Sequence, residues 1–382
     1  MDAGMSELPI YECASCGAVP STETALWRCP SCRAPLMLAH GTGLRRDQIR
    51  AEFGSLWRYG AAIRVPGPRI SLGEGWTPLV PGTVDRCPVR FKLEFLMPTG
   101  SFKDRGTAVM MNHLLDRGVT SLLEDSSGNA GASIAHYAAA GGIACTVYVP
   151  AAAPRAKIVQ IAASGARVVA IPGTRQDVAD KALEAAASIF YASHNWQPFF
   201  IEGTKTLAFE LWEQLGFRAP DNIVVPCGYG SNVLGCARGF AELKAAGEVD
   251  RIPRLFAVQA EHCAPFLAAW QAGTDQPAPF DVKPTVADGI ATQRPVRLAA
   301  VLAAVRSSGG AVIGAPEDEI AGAVLALGRR GLFVEPTSAT ALVALSRLID
   351  SGAISRGETT VVILTGSGLK AAPVIGDLLG IA

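Results

Sequence analysis

Lys103 is the residue of this sequence best placed to do chemistry. It lies in the run Pro98 to Gly106, Pro-Thr-Gly-Ser-Phe-Lys-Asp-Arg-Gly, after a strand-like stretch (Val89 to Phe95) and before an apolar helical one (Thr107 to Leu115). Open α/β sheets keep their chemistry where a strand hands over to a helix. A lysine held there, partly stripped of water, can bond covalently to an aldehyde cofactor. On its own a Lys-Asp-Arg triplet is ordinarily a solvated turn. Three further stretches change that reading. Ser126-Ser127-Gly128-Asn129-Ala130-Gly131 follows the strand Ser121 to Asp125 and opens a helix. Cys227-Gly228-Tyr229-Gly230-Ser231-Asn232 does the same after Asn222 to Pro226, and Thr365-Gly366-Ser367-Gly368 closes the last strand. Small residues such as Gly228, Gly230, Ser231 and Asn232 let backbone N–H groups approach an anion at a helix N-terminus. Ser126 and Ser127, with the N–H groups of Ala130 and Gly131, form a second anion site suited to a carboxylate. Each loop is also an ordinary helix cap, and the two readings are compatible, because a bound anion satisfies the same donors.

A separate group opens the chain. Cys13-Ala-Ser-Cys16 and Cys29-Pro-Ser-Cys32 can present four thiolates tetrahedrally, as a closed structural zinc site requires, with reduced free thiols as the alternative. A redox pair fits less well, since neither knuckle opens a helix after a strand. Cys87, Cys145, Cys227, Cys236 and Cys263 are scattered singly through apolar segments and read as small core residues.

These groups need a scaffold, and the pattern supplies one. From Pro88 onward strands and Ala-rich helices alternate, which predicts parallel sheets covered on both faces. Expected strands are 90–95, 121–125, 144–149, 167–171, 222–225, 255–259, 332–335 and 360–364. Expected helices include a polar one from Arg45 to Tyr59, one over 131–140, and one starting at Pro154. The segment Gly273 to Pro295 reads as a mobile loop. With 382 residues the chain is long enough for two core-bearing α/β lobes and an appendage. Equal numbers of acids and bases, 34 each, give no electrostatic case for nucleic acid or an anionic membrane, so a small-molecule substrate is expected. No apolar run reaches the roughly 18 residues of a membrane span, and no signal sequence is evident; a cytoplasmic protein is expected.

The four stretches stand in a fixed order with Gly73-Glu74-Gly75-Trp76-Thr77-Pro78-Leu79, Glu202-Gly203-Thr204-Lys205-Thr206 and Glu335-Pro336-Thr337-Ser338-Ala339. From Leu72 to Lys370 the chain thereby resembles the fold-type II pyridoxal-phosphate enzymes of the tryptophan synthase β superfamily, and within them the threonine synthases, some of which carry a similar cysteine-rich N-terminus. The resemblance implies a zinc ribbon at 1–40, a large lobe at 41–106 with 190–382, and a small inserted lobe at 107–189. It also implies a cofactor cleft between the lobes and a homodimer. By the same resemblance Lys103 anchors pyridoxal phosphate, and Gly228, Tyr229, Gly230, Ser231 and Asn232 hold its phosphate. Asn129 meets the ring 3-hydroxyl and Thr365 faces the ring nitrogen. A hydroxyl at that last place favours an unprotonated nitrogen, hence elimination and replacement over transamination.

The implied reaction converts O-phosphohomoserine and water to threonine and phosphate. Thr99, Ser101, Ser126, Ser127, Ala130 and Lys205 are the candidate substrate contacts, with Thr204, Arg155 and Lys157 as further options for the leaving phosphate. Three departures stand out. Cys227-Gly228-Tyr229 replaces the usual Val-Gly-Asn, Ser367 replaces a histidine, and Phe199-Phe200 stands where several threonine synthases carry an arginine. They leave open a β-elimination or β-replacement enzyme acting on O-phosphoserine, serine or threonine, of dehydratase or cysteate-synthase type. A zinc-ribbon interaction protein with a retired enzyme body is the reading from another class.

Overall fold

The computed structural model describes residues 8–153 and 155–381. Its strands are β1 (Tyr11–Glu12), β2 (Met37–Leu38), β3 (Leu79–Val84), β4 (Cys87–Lys92), β5 (Ser121–Glu124), β6 (Ala144–Pro150), β7 (Arg167–Ile171), β8 (Phe190–Tyr191), β9 (Asn222–Pro226), β10 (Arg254–Ala260), β11 (Ala311–Ala315) and β12 (Thr360–Ile363). The chain divides into two compact units, the described parts of Met1–Gly75 with Lys103–Thr206, and Trp76–Phe102 with Leu207–Ala382. Among the described residues no helix is long and apolar enough to cross a membrane.

The first unit is built on a four-stranded parallel sheet in the order β7-β6-β5-β8. The helix Lys103–Asp116 is buried at every residue from Asp104 to Leu114. A helix covered all round needs apolar partners on every side, and here one of them is the cysteine-rich segment. Tyr11, Leu36 and Leu38 join a single core cluster with Trp57, Met110, Met111, Phe199 and Phe200. The second unit carries a six-stranded sheet, β11-β10-β9-β12-β4-β3, parallel except for the edge hairpin β3–β4. One cluster that includes Val224, Val258, Leu345, Val362 and Leu364 fills it. In both units the glycine- and serine-rich loops leave the carboxyl ends of parallel strands, where ligands bind in open α/β sheets.

Several elements differ from expectation. The residues from Arg45 to Tyr59 form two 3-10 turns, Arg46–Gln48 and Leu56–Ala62, rather than one helix. Their donors are spent elsewhere, the Leu56 N–H on the Glu74 carbonyl and the Arg50 N–H on that of Arg58. Residues 332–335 contribute only an isolated bridge, Val334 to Ser367, because Pro336 ends the supply of ladder donors and starts the helix Pro336–Asp350. β3, β8 and β11 were not anticipated. The cysteine-rich segment shares its core with the first of the two units. Within 273–295 the chain holds a 3-10 turn, Asp288–Ile290, and is tied by Lys283 N–H to the His262 carbonyl and Gly289 N–H to Thr337 Oγ1. Pro154 and the side chains of Arg155 and Lys157 lie outside the described residues.

Two buried polar knots hold the first unit. Glu202 accepts a fork from Arg64, Nε to Oε1 and Nη2 to Oε2 at 3.0 Å each, and Lys205 Nζ donates to it at 2.8 Å. All three side chains are at most 3% exposed. His113 stacks on Phe199 with ring centroids 3.6 Å apart and meets the Tyr11 hydroxyl at 3.3 Å.

Replacing Glu202 with Gln leaves two buried cations facing a neutral acceptor, so Glu202→Gln is expected to cost about 3–5 kcal/mol of unfolding free energy, read by urea denaturation. A loss near zero would contradict the knot. Burial pulls the His113 pKa from 6.5 down to about 3, with Arg117 pushing the same way. Stability from a neutral His113 is therefore complete above pH 6.5 and drains as the pH falls towards 3, by about 2 kcal/mol at pH 5. His113→Gln is expected to flatten the loss between pH 7.5 and pH 5 by that amount; an unchanged slope would argue against it.

Candidate active site

Lys103 is the first residue of its helix. The next turn locks it in place, because Ser133 Oγ donates to Asp104 Oδ1 (2.6 Å) and lies 2.8 Å from Thr107 Oγ1. Ser133 belongs to the helix Asn129–Ala140, so one contact fixes the N-terminal ends of both helices. The loop before Asn129 folds back so closely that a Cβ on Gly131 would lie 1.8 Å from the Ser126 carbonyl oxygen. Only glycine fits there. Ser126 Oγ accepts the Gly128 N–H at 3.2 Å. Ser126, Ser127 and Asn129 are half-buried and Ala130 is buried.

Around the lysine lie groups that local sequence patterns did not single out. Its Nζ sits 5.6 Å from the centroid of the Phe200 ring, a cation–π contact. Phe200 therefore packs beside the lysine, and Phe199 on His113, so the pair standing where an arginine was sought serves the core. At the end of β5, Glu124 is fully buried and its Oε1 is 3.0 Å from His194 Nδ1. Asp125 pairs with Arg175 at 2.8 Å. Burial, reinforced by Asp125, raises the Glu124 pKa well above the carboxylate range, against the pull of Arg175 and Lys103. Burial, with the charges of Lys103 and Arg175, holds that of His194 well below its ordinary value. Glu124 Oε2 and Asn195 Oδ1 are buried with no hydrogen-bond partner among the described residues. The only local hint was the polar run Ser193-His194-Asn195 after β8.

The acid of the Gly73-Glu74-Gly75 stretch is structural. Glu74 accepts from Trp57 Nε1 (2.7 Å), the Leu72 N–H (2.7 Å), Ser71 Oγ (3.1 Å) and the Tyr137 hydroxyl (2.8 Å). Lys205, expected at the substrate, is fully buried and spends its ammonium on Glu202.

In the second unit, Gly230 caps the helix Ser231–Ala245 in the left-handed conformation, φ 84°, and a Cβ there would meet Val301 Cγ2 at 2.3 Å. Gly228 and Tyr229 are half-buried. Asn232, in the first turn, is 2% exposed, yet neither its Oδ1 nor its Nδ2 has a partner among the described residues. Buried amides are normally paired. A phosphate at this helix N-terminus would supply the missing acceptor, so the loop fits the phosphate of pyridoxal phosphate. Ser101, fully buried, also has an Oγ with no hydrogen-bond partner among the described residues. Thr99 is 3% exposed and its carbonyl accepts from Lys370 Nζ at 2.9 Å. Thr365, 1% exposed, lies with its Oγ1 3.0 Å from Ser338 Oγ.

Comparison with known proteins agrees with this architecture. The profile of the family described as "Pyridoxal-phosphate dependent enzyme" matches residues 70–366. A threonine synthase of Methanosarcina acetivorans is 33% identical over 372 residues, covering 94% of this chain and 91% of the relative. One of Methanocaldococcus jannaschii is 32% identical over 382 residues, covering 94% and 93%. Among solved structures, the processed form of threonine deaminase isoform 2 from Solanum lycopersicum superposes with a TM-score of 0.69 at 20% identity, over 96% of this chain and 99% of that one, a likeness of fold. The chain belongs to the pyridoxal-phosphate dependent enzyme family and is similar over nearly its whole length to threonine synthases.

Proposed function

We propose that this chain converts O-phosphohomoserine and water to threonine and inorganic phosphate. The observation that carries the reading is the near full-length similarity to threonine synthases, together with Lys103 at the head of a buried helix. Pyridoxal phosphate, when bound, supplies an aldehyde for an amine and an electron sink for the pair left when a proton departs from Cα. Lys103 holds the cofactor and, once its amine is released, takes the α-proton and delivers protons along the carbon chain. The Gly228–Asn232 loop holds the cofactor phosphate and Asn129 its ring 3-hydroxyl. Ser126, Ser127 and the N–H groups of Ala130 and Gly131 hold the substrate carboxylate. With Lys205 paired to Glu202, Ser101 is the side chain of choice for the leaving phosphate, its buried hydroxyl having no hydrogen-bond partner among the described residues.

Lys103→Ala is expected to lower threonine formation on the order of a thousandfold and to abolish the visible absorbance of the bound cofactor. Retained colour and activity would overturn the assignment. In the same assay, release of 2-oxobutyrate from threonine, or a replacement product from O-phosphoserine, with no threonine from O-phosphohomoserine, would move the chain to the elimination and replacement enzymes.

The four N-terminal cysteines are proposed to hold structural zinc. Their Sγ atoms all lie within 4.8 Å of one another, with Cys13 to Cys32 at 3.4 Å and Cys16 to Cys29 at 3.7 Å. Thiolates at about 2.3 Å from one zinc stand about 3.8 Å apart, so the donor set fits a closed tetrahedral site. Because Tyr11 and Leu38 pack into the core around the Lys103 helix, stripping the metal is expected to lower the unfolding midpoint by several degrees. Metal analysis showing no zinc, or a midpoint insensitive to a strong chelator, would contradict it. The homodimer and the cytoplasmic location belong to the same proposal. The exposed apolar side chains Phe333 (42%) and Leu369 (77%) in the second unit suit a subunit contact.

A further inference from the structure

Thr365 is held from two sides. Its carbonyl accepts the Phe102 N–H at 2.9 Å, and the next residue, Gly366, bridges to Ser101 and accepts the Glu335 N–H at 3.0 Å. The backbone therefore leaves Thr365 one freedom that matters, the direction of its hydroxyl hydrogen. Ser338, fully buried in the first turn of the helix Pro336–Asp350, is placed to decide it.

A serine hydroxyl has one hydrogen and two lone pairs. Ser338 Oγ accepts the Gly366 N–H at 2.9 Å, a donor with no alternative role. Its own hydrogen has two destinations, Thr365 Oγ1 at 3.0 Å and the Gly366 carbonyl at 3.3 Å. That carbonyl already receives the Glu335 N–H, and the threonine oxygen is closer. With the Ser338 hydrogen given to Thr365, the Thr365 hydrogen cannot usefully turn back along the same line and must point away from Ser338. Thr365 then presents a donor. With the hydrogens reversed, Thr365 would give its own to Ser338 and present only lone pairs, which suit a protonated ring nitrogen.

We infer that Ser338 is a positioning residue: by donating to Thr365 it turns the Thr365 hydroxyl into a hydrogen-bond donor towards the cofactor's ring nitrogen, which keeps that nitrogen unprotonated. The inference rests on the reading that Thr365 faces the ring nitrogen, and its test separates the two. Affinities for pyridoxal phosphate and for its deaza analogue, in which CH replaces the ring nitrogen, are compared within each protein, so general weakening of the site cancels in the ratio. Wild type should prefer the natural cofactor about five- to tenfold, the size of one net hydrogen bond. Thr365→Val should bring the ratio close to one, and Ser338→Ala should bring it below about twofold. Ser338→Cys, which keeps the shape and a weak donor, should fall between. If Thr365→Val leaves the preference intact, Thr365 does not face the nitrogen and the underlying reading fails. If Thr365→Val removes the preference and Ser338→Ala keeps it at the wild-type value, the role given to Ser338 is wrong. Should the variants not fold, nitrogen-15 NMR of ring-labelled cofactor in the wild-type protein decides: an unprotonated nitrogen is expected, and a protonated one overturns the inference.

Discussion

A lysine amine proposed to serve first as an anchor and then as a base needs a fixed place, and the burial of its helix holds Lys103 in one. Every residue from Asp104 to Leu114 is covered, so the helix Lys103–Asp116 cannot tilt or slide without opening the first unit's core. At its head, the Asp104–Ser133 bond ties it to the helix that carries Asn129. At its tail, His113 lies between Phe199 and the Tyr11 hydroxyl, which makes the cysteine-rich segment a brace on the element bearing the lysine. Packing of this kind gives a functional side chain its geometry before any ligand arrives.

Buried acids do the remaining work of holding loops in place. Glu74 gathers four donors in the first unit. In the second, Glu210 accepts from the N–H groups of Trp76 and Thr77 and pairs with buried Lys92. Each of these carboxylates has its lone pairs filled by N–H or O–H groups, the condition under which a buried charge is tolerable. Glu124 differs from them. One of its oxygens has no hydrogen-bond partner among the described residues, and burial raises its pKa, beside His194 and close enough to Lys103 to feel its charge.

What could be read from the sequence was whatever a local pattern encodes. The turn from Gly228 to Asn232 was legible as a strand-to-helix turn because small residues such as Gly228 and Gly230 permit it; its role as an anion site is a proposal. The cysteines were legible from two equal spacings, and the alternation of strand and helix predicted parallel sheets. The strand-to-helix handover at Lys103 was legible, but the helix begins at the lysine itself rather than at Thr107. The environment of the lysine was not legible, because His194 and Glu124 are 70 residues apart and Phe200 reads as core from any vantage. The ion pair of Lys205 with Glu202, three residues earlier in the same motif, was not read from the sequence, where the lysine was offered as a substrate contact. Ser338 lay within a recognised stretch, yet its two short contacts reach residues some 28 positions further on.

Lys103 is proposed to bond covalently to the cofactor's aldehyde. Borohydride reduction of the purified, cofactor-loaded protein, followed by digestion and mass spectrometry, reads that bond directly. The peptide containing Lys103 should carry the mass of one reduced pyridoxal phosphate. A label on any other lysine, or none anywhere, would contradict the assignment of Lys103 as the anchor.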